Sequence, residues 1–241
     1  MKKGFKEFNN GFSPGLITVD YPRSAVSEAY RTMRTNLSFA SVDQECRLLL
    51  ITSVGPSEGK TTTAVNLAVT LAQAGSSVLL VDCDLRGPSV HKIFGLENGG
   101  GLTNVLVQGR TPSELFHEGP VEGLKILTSG PIPPNPAELL GSERTKQLWP
   151  QLLEEFDYVI IDSPPVLAVT DSVLLASQVH GVILVICAGM QRVDVAQEAK
   201  EQLLMANARI LGVVLNKVKI PTHDYHYYYY SRRREEEKVR L

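Results

Sequence analysis

The sequence lacks the features that mark several large classes of protein. Its three cysteines, Cys46, Cys83 and Cys187, are scattered without CxxC spacing, so neither a disulfide framework nor a zinc site is indicated. The longest apolar runs, such as GVILVIC at 181–187, are far too short to span a bilayer. A formal net charge of −2 argues against the broad basic surface of a nucleic-acid binder. These absences predict a protein of the reducing cytoplasm that does not bind nucleic acid.

Short apolar segments alternating with helical patterns indicate one α/β domain, and 241 residues with 43% hydrophobic content can bury its core. Such segments are typical of a parallel β-sheet flanked by helices on both faces. We predict a mobile arm at 1–24, the folded domain at 25–220 and a tail at 221–241. The predicted strands are RLLLITS, SVLLVD, LKILT, DYVIID, GVILVIC and ILGVVLN, and the main predicted helices are 60–74, 139–156 and 192–207.

The segment SAVSEAYRTMRTNLSFA has the pattern of an amphipathic helix. From spacing alone, Glu28 and Arg31 form an exposed pair worth about 0.2–0.5 kcal/mol, with Arg34 as a solvated neighbour. The apolar residues that share one face of this helix are Val26, Ala29, Tyr30, Met33, Leu37 and Ala40.

A phosphate-binding loop follows the first predicted strand, in ITSVGPSEGKTTTAVNLAVTLAQAG. Glycines before a Lys-Thr pair that opens a helix point backbone N–H groups at an anion. Lys60 can reach the β- and γ-phosphates of a nucleotide, and the Thr61 hydroxyl can ligate Mg²⁺. The loop departs from G-x-x-x-x-G-K-[ST] at Val54, and the missing G-x-G-x-x-G makes a dehydrogenase a poor fit. The residues predicted to hold nucleotide here are Gly55, Pro56, Ser57, Glu58, Gly59, Lys60, Thr61 and Thr62.

Acidic residues end two other predicted strands. Asp82 and Asp84 lie where the strand in VLLVDCDLR ends, and Asp162 ends VIID. The period of two sends both acids of the first pair to one side and Cys83 into the core. Taken singly, such aspartates are often only helix caps. Beside a phosphate loop, they supply oxygen ligands for Mg²⁺ and a carboxylate for phosphoryl transfer.

Several separated motifs, in this order, resemble those of the bacterial tyrosine kinases of capsular and exopolysaccharide synthesis. They are EAYRTMRTNL, GPSEGKT, VLLVDCDLR, which is similar to a Walker A′ motif, PPNPAELL, VIIDSPP, which is similar to a Walker B motif, and a terminal tyrosine cluster. The form resembled is the one whose cytoplasmic kinase is a separate chain from its membrane activator. The resemblance implies a P-loop NTPase fold that uses ATP and Mg²⁺ to phosphorylate protein tyrosines.

The resemblance also implies roles for individual residues. Lys60 would hold the phosphates and Asp82 would accept the tyrosine proton, although Asp82 and Asp84 could exchange roles. Arg86 would be a phosphate or interface group, and Asn216 would either bind adenine or simply form a strand-end turn. The metal would be held by Thr61, Asp84 and Asp162.

Partners are implied in the same way. Glu28, Arg31 and Arg34 would bridge to the next subunit of a ring-shaped homo-oligomer. A transmembrane activator would recruit the cytoplasmic chain to the inner face of the plasma membrane, a cognate tyrosine phosphatase would reverse the modification, and other protein substrates are possible.

The tail HDYHYYYYSRRREEEKVRL concentrates five of the eight tyrosines of the chain. By composition it is either a sticky low-complexity end or a set of acceptors offered in turn to one site. His223, Asp224 and His226 could make a metal site, although histidines in such a tail more often bind nothing. The resemblance favours the acceptor interpretation for Tyr225, Tyr227, Tyr228, Tyr229 and Tyr230.

Two alternatives stay open. The first is an ATPase switch of the partitioning and septum-site class, which usually carries a lysine five residues before the phosphate-loop lysine, where this chain has Gly55. The second is a nucleotide-controlled scaffold for polysaccharide synthesis without tyrosine kinase activity.

Overall fold

A seven-stranded sheet forms the centre of the protein in a computed structural model that describes residues 15–40 and 45–218. The strand order is β3-β4-β2-β5-β1-β6-β7. Every neighbouring pair is parallel except β3 and β4. The strands are β1 Leu48–Ser53, β2 Val78–Asp82, β3 His117–Glu118, β4 Leu124–Leu127, β5 Tyr158–Asp162, β6 Gly181–Cys187 and β7 Ile210–Asn216.

Both faces of the sheet are covered, as the continuous apolar strands predict. Side chains of β1 alternate between two hydrophobic cores, with Leu48 and Leu50 in one and Leu49 and Ile51 in the other. The covering helices are α1 Ile17–Asp20, α2 Ala25–Ala40, α3 Lys60–Gln73, α4 Val90–Phe94, α5 Leu102–Gln108, α6 Pro136–Leu140, α7 Glu143–Glu155, α8 Asp171–Ala176 and α9 Val193–Met205. None of these described helices combines the length and apolar character needed to cross a bilayer.

The predicted boundary of the N-terminal arm is wrong for residues 15–24. Residues 17–20 form α1, and the fully buried Thr18 bonds Asn66 of α3 through both its amide, at 2.9 Å, and its hydroxyl, at 2.8 Å. These contacts make the segment part of the folded domain. The sequence pattern did not predict this short helix, because the proline, glycine and serine residues around it are typical of loops. Tertiary contacts hold the helix in place. Residues 1–14 lie outside the described part of the chain.

The helix predicted for 139–156 is two helices. α6 begins at Pro136, whose fixed φ suits a first helical turn, and ends before Gly141. Ser142 then caps α7, because its hydroxyl accepts the Thr145 amide at 3.3 Å. The sequence between the second and fourth strands, which carried no prediction, contains α4, α5, a 3₁₀ turn at Pro112–Leu115 and the antiparallel strand β3.

The apolar stripe of α2 is only partly buried. Tyr30 and Leu37 are buried, whereas Val26 is 42% exposed. A groove of about 360 Å³ lies between α2 and β7, and the apolar residues of the stripe form its α2 wall. The helix therefore packs on α3 with one edge of its apolar face and leaves the other edge open.

Candidate active site

The chemistry-bearing residues meet where parallel strands end. β2 pairs with β5 so that Asp82 lies opposite Asp162, and β1 pairs with β5 on the other side. The phosphate loop, residues 54–60, leads from β1 into α3, so Lys60 and Thr61 open that helix at the same edge. The carboxyl edge of an open parallel sheet is the usual position of a ligand site. The structure thus brings the loop and the acid cluster (Asp82, Asp84 and Asp162) together at one edge of the sheet.

Lys60 lies between two of these acids. Its Nζ atom is 2.8 Å from Asp84 Oδ2 and 3.7 Å from Asp162 Oδ2. Burial opposes the charge of the ammonium group, but Asp162 and Asp84 outweigh it and raise the pKa of Lys60 above its ordinary value. The lysine is therefore a fully charged cation that neutralises part of the acid cluster.

Thr61 and Asp162 contact each other directly in the site. The Thr61 hydroxyl donates to Asp162 Oδ2 at 2.7 Å and lies 3.0 Å from the Ser89 hydroxyl. Burial raises the pKa of Asp162, and Lys60 and Thr61 oppose that rise. The other oxygen, Oδ1, is buried and has no hydrogen-bond partner among the residues described.

The unsatisfied oxygen of Asp162 is the observation that shows whether Mg²⁺ fits the site. Mg²⁺ prefers oxygen ligands, and it keeps several waters that can bond neighbouring carboxylates. Asp162 Oδ1 is a buried acceptor without a hydrogen-bond partner among the described residues. The Thr61 hydroxyl bonds the other oxygen of this carboxylate, and Asp84 shares Lys60 with it. The donor set fits the ion.

Asp82 has the helix-capping contacts that strand-end aspartates often make. It is fully buried; Oδ1 accepts the Asp84 amide at 3.1 Å, and Oδ2 accepts the amides of Ser89 and Val90 at 3.1 and 3.0 Å. Burial and the nearby charge of Asp162 raise the pKa of Asp82 to about 7. The carboxyl group thus shapes the turn before α4 and also titrates near neutrality.

The outer turn of the phosphate loop is held by the end of β7. Ser57 and Gly59 have φ angles of 61° and 97°, in the left-handed region. The Asn216 amide donates to the Glu58 carbonyl at 2.8 Å, and a Cβ atom on Gly59 would lie 2.1 Å from that side-chain nitrogen. Asn216 therefore contacts the loop directly. Pro56 and Ser57 are exposed at the tip, and Thr62 lies in the first turn of α3.

Arg86 bonds an acid that the sequence analysis did not select. Its Nε and Nη2 atoms each donate to the carboxylate of Asp171 at 3.0 Å. Asp171 is fully buried in the first turn of α8, which follows the loop after Asp162. The pair therefore ties the chain after Asp84 to the chain after Asp162, and it raises the pKa of Arg86.

The predicted interface residues make contacts within the chain. Arg31 lies 2.9 Å from Glu28, as the i,i+3 spacing predicts, and Arg34 donates to the Thr70 carbonyl at 2.9 Å. Cys83 is fully buried, as predicted. Outside the described residues lie His223, Asp224, His226 and the predicted acceptors Tyr225, Tyr227, Tyr228, Tyr229 and Tyr230.

Sequence reasoning missed three residues that contact the site. Ser89 follows the Walker A′ stretch by three residues, so its closeness in sequence to that motif could have identified it. Asp171 had a weaker signal, an acid opening an apolar helix nine positions after Asp162. Gln191 had none, since it lies in a polar loop and bonds the loop residue Glu58 only through the fold.

Comparisons with known proteins agree with this geometry. The family model described as ParA, NUBPL iron-transfer P-loop NTPase, matches residues 46–239. The chain is 46% identical to tyrosine-protein kinase YwqD of Bacillus subtilis (strain 168), over 88% of this chain and 90% of that protein. It is 41% identical to the putative tyrosine-protein kinase CapB of Staphylococcus aureus, over 88% and 93%. The crystal structure of the chimerical protein CapA2B2 superposes with a TM-score of 0.82 at 41% identity, covering 88% of this chain and 92% of that one.

Proposed function

Because this chain belongs to the bacterial tyrosine kinases, within the wider ParA group of P-loop NTPases, we propose that it phosphorylates the tyrosines of its own tail. It is a protein-tyrosine kinase, which transfers a phosphoryl group from ATP to tyrosine. We further propose that the acceptors are Tyr225, Tyr227, Tyr228, Tyr229 and Tyr230.

One observation carries this proposal. Lys60, Thr61 and the acid cluster converge at one edge of the sheet, and β7, after which the tyrosine tail follows, ends against the phosphate loop. Tyr225 is nine residues beyond Asn216, and nine extended residues span about 30 Å. Because Asn216 contacts the phosphate loop, a tyrosine nine residues later could reach the site or that of a neighbouring subunit.

Each residue has a chemical task in the proposed reaction. A tyrosine hydroxyl has a pKa of about 10, so it gains from a carboxylate that takes its proton. Asp82, with a pKa of about 7, suits that task near neutral pH. The tyrosine oxygen then bonds the γ-phosphorus, the bond from that phosphorus to the bridging oxygen breaks, and ADP leaves while Lys60 offsets charge on the phosphates.

Thr61, Asp84 and Asp162 would hold Mg²⁺, directly or through water. Bound there, the ion would neutralise charge on the β- and γ-phosphates. Arg86 acts by holding the loops through Asp171. Asn216 would border the nucleotide from the end of β7.

We also propose that the tail is phosphorylated by a neighbouring subunit of a ring, and that Glu28, Arg31 and Arg34 form its interface. Reversing the charge of Arg31 and Arg34 should then lower the assembly mass measured by light scattering. An unchanged mass would reject this interface.

Phosphorylation would regulate the assembly through charge. Five phosphates add roughly −8 to −10 to a tail that carries both arginines and glutamates. The acid cluster that accepts a neutral tyrosine would repel a multiply phosphorylated tail, so the tail would leave and the ring would separate. The setting we propose is the control of capsular or exopolysaccharide synthesis and export, with a membrane activator that recruits the chain, a tyrosine phosphatase that resets it, and other protein substrates.

The test is phosphotyrosine formation by the purified full chain with labelled ATP and Mg²⁺. The proposal predicts label on the tail of the wild-type chain and none on a variant with the five tail tyrosines changed to Phe. Lys60→Met serves as the catalytic control. Hydrolysis of ATP without any phosphotyrosine, even with an activator added, would overturn the proposal in favour of an ATPase switch.

A further inference from the structure

Glu58 is an acid inside the phosphate loop whose side chain is fully buried. Its Oε1 atom accepts the Gly55 amide at 3.0 Å and the Gln191 side-chain amide at 2.7 Å. Its Oε2 atom accepts the Cys187 amide at 3.3 Å. The carboxylate is thus enclosed by N–H donors, and the Gly55 amide is committed to it.

A negative charge in this loop needs a physical explanation, since the loop must bind a negatively charged nucleotide. A carboxylate free to turn toward the phosphates would repel them. Held by three N–H groups, it instead joins the loop to the end of β6 and to the chain that follows. Its fixed orientation is therefore as important as its charge.

The backbone of the loop also needs outside support. Ser57 is a non-glycine residue at φ 61°, and such a conformation costs of order 1 kcal/mol or more unless its surroundings impose it. Lys217 donates to the Ser57 carbonyl at 2.7 Å, and Asn216 donates to the next carbonyl. The contacts of Lys217 and Asn216 fix the backbone of the loop. The carboxylate of Glu58 is instead held by the side-chain amide of Gln191.

The closeness of Gly55 to Gln191 shows how tightly this contact is built. A Cβ atom on Gly55 would lie 2.6 Å from Gln191 Nε2 and 3.4 Å from Glu58 Oε1. The position therefore has no room for a larger residue while Gln191 stays bonded to Glu58.

We propose that Gln191 is a positioning residue, which acts through the Glu58 carboxylate to keep the phosphate loop in its nucleotide-binding shape. The inference depends on the nucleotide binding of the proposed function. It makes the loop between β6 and α9, which carries none of the recognised motifs, a determinant of nucleotide affinity.

The test measures binding of the fluorescent nucleotide mant-ADP with Mg²⁺ to the full chain and to Gln191 variants. Gln191→Ala removes one bond to a charged group and should weaken binding about tenfold. Gln191→Glu places a second carboxylate against Glu58 and should weaken it about 100-fold. Met190→Glu is the matched control, because it adds the same charge one residue away on a side chain that is 51% exposed, and it should bind within about twofold of wild type.

A compensating pair separates positioning from general damage. Adding Glu58→Gln to Gln191→Glu removes the repulsion between two carboxylates, so the double variant should bind more tightly than Gln191→Glu alone. It should still bind more weakly than wild type, because an amide nitrogen in place of Oε1 leaves the Gly55 amide without its acceptor. In autophosphorylation, Gln191→Ala should raise the KM for ATP by about tenfold and change kcat by less than about threefold. Without nucleotide, hydrogen exchange at residues 54–60 should be faster in Gln191→Ala than in wild type.

The outcomes separate this inference from the proposed function. The inference alone would be overturned if the wild type binds mant-ADP and Gln191→Glu binds it equally well. It would also be overturned if the double variant binds mant-ADP no more tightly than Gln191→Glu. A wild-type chain that binds no mant-ADP would overturn the proposed function, and the inference with it.

Discussion

The phosphate loop and the acid cluster form two sides of one site, yet Glu58 of the loop is held by a different kind of partner from Asp84 and Asp162 of the cluster. Glu58 is enclosed by neutral N–H donors, whereas Asp84 and Asp162 share the ammonium group of Lys60. A carboxylate bonded by amides stays in place and shapes its loop. A carboxylate that faces a lysine ammonium group can exchange that cation for a metal ion. The phosphate loop with Glu58 is therefore built to keep its shape. The side that carries Asp84 and Asp162, called the exchange side below, is built to exchange one cation for another.

The largest expected effect comes from removing a charge on the exchange side. Asp162→Asn keeps the size of the side chain but removes a carboxylate that faces Thr61 and Lys60. Phosphotyrosine formation should fall by about 100-fold or more, as when charge stabilisation is removed from other active sites.

The matched control is Asp157→Asn, at the opposite end of β5, where the exposed carboxylate accepts the Ser77 amide. It should keep autophosphorylation within about threefold of wild type. Equal activity of the two variants would remove the distinction between the exchange side and the rest of the strand.

A smaller effect, on stability, is expected from the ion pair between Arg86 and Asp171, which joins the chain after Asp84 to the chain after Asp162. Asp171→Asn replaces a buried acceptor of two Arg86 bonds, and should lower the free energy of unfolding by about 2–3 kcal/mol. The measurement is urea denaturation.

Asp194→Asn is the comparison, because Asp194 also opens a helix and pairs with an arginine, Arg192, but both side chains are exposed. Its cost should stay below about 1 kcal/mol. Similar losses in the two variants would mean that burial of the Arg86 partner contributes nothing.

The last expected effect is a change of stability with pH. The pKa of Asp82 rises from 3.8 to about 7 on folding, so the folded state binds a proton that the unfolded state has lost. The stabilisation is therefore complete below about pH 4 and disappears as the pH rises through 7. Without Mg²⁺ and nucleotide, the free energy of unfolding of the wild type should fall relative to that of Asp82→Asn between about pH 4 and 7. Parallel curves from urea denaturation would contradict this.

The acid cluster could be predicted from the sequence because buried parallel strands end at one edge of a sheet. The chain order alone places Asp82 and Asp162 far apart, but any parallel sheet returns their strand ends to the same edge. Which strands are neighbours was not predictable, since β5 lies between β1 and β2 and separates strands that are consecutive in sequence.

The supporting residues were hidden for a different reason. Gln191 and Asp171 bond residues 133 and 85 positions away, so no local period or spacing marks them. The short helix α1 was hidden in the same way, because the contact of Thr18 with Asn66, rather than a helical pattern, keeps it in the fold. Local patterns show which residues can do chemistry, and the tertiary fold decides which residues hold them.

The most direct test of the central claim is a mixture of two complementary chains. Lys60→Met keeps the tail tyrosines but lacks the phosphate-binding lysine, and a chain with Tyr225, Tyr227, Tyr228, Tyr229 and Tyr230 changed to Phe keeps the site but lacks the proposed acceptors. With ATP and Mg²⁺, intact-mass spectrometry should show phosphate on the tail of the Lys60→Met chain only when its partner is present. Phosphate on wild-type tails with none on Lys60→Met chains in the mixture would contradict phosphorylation of one subunit by another.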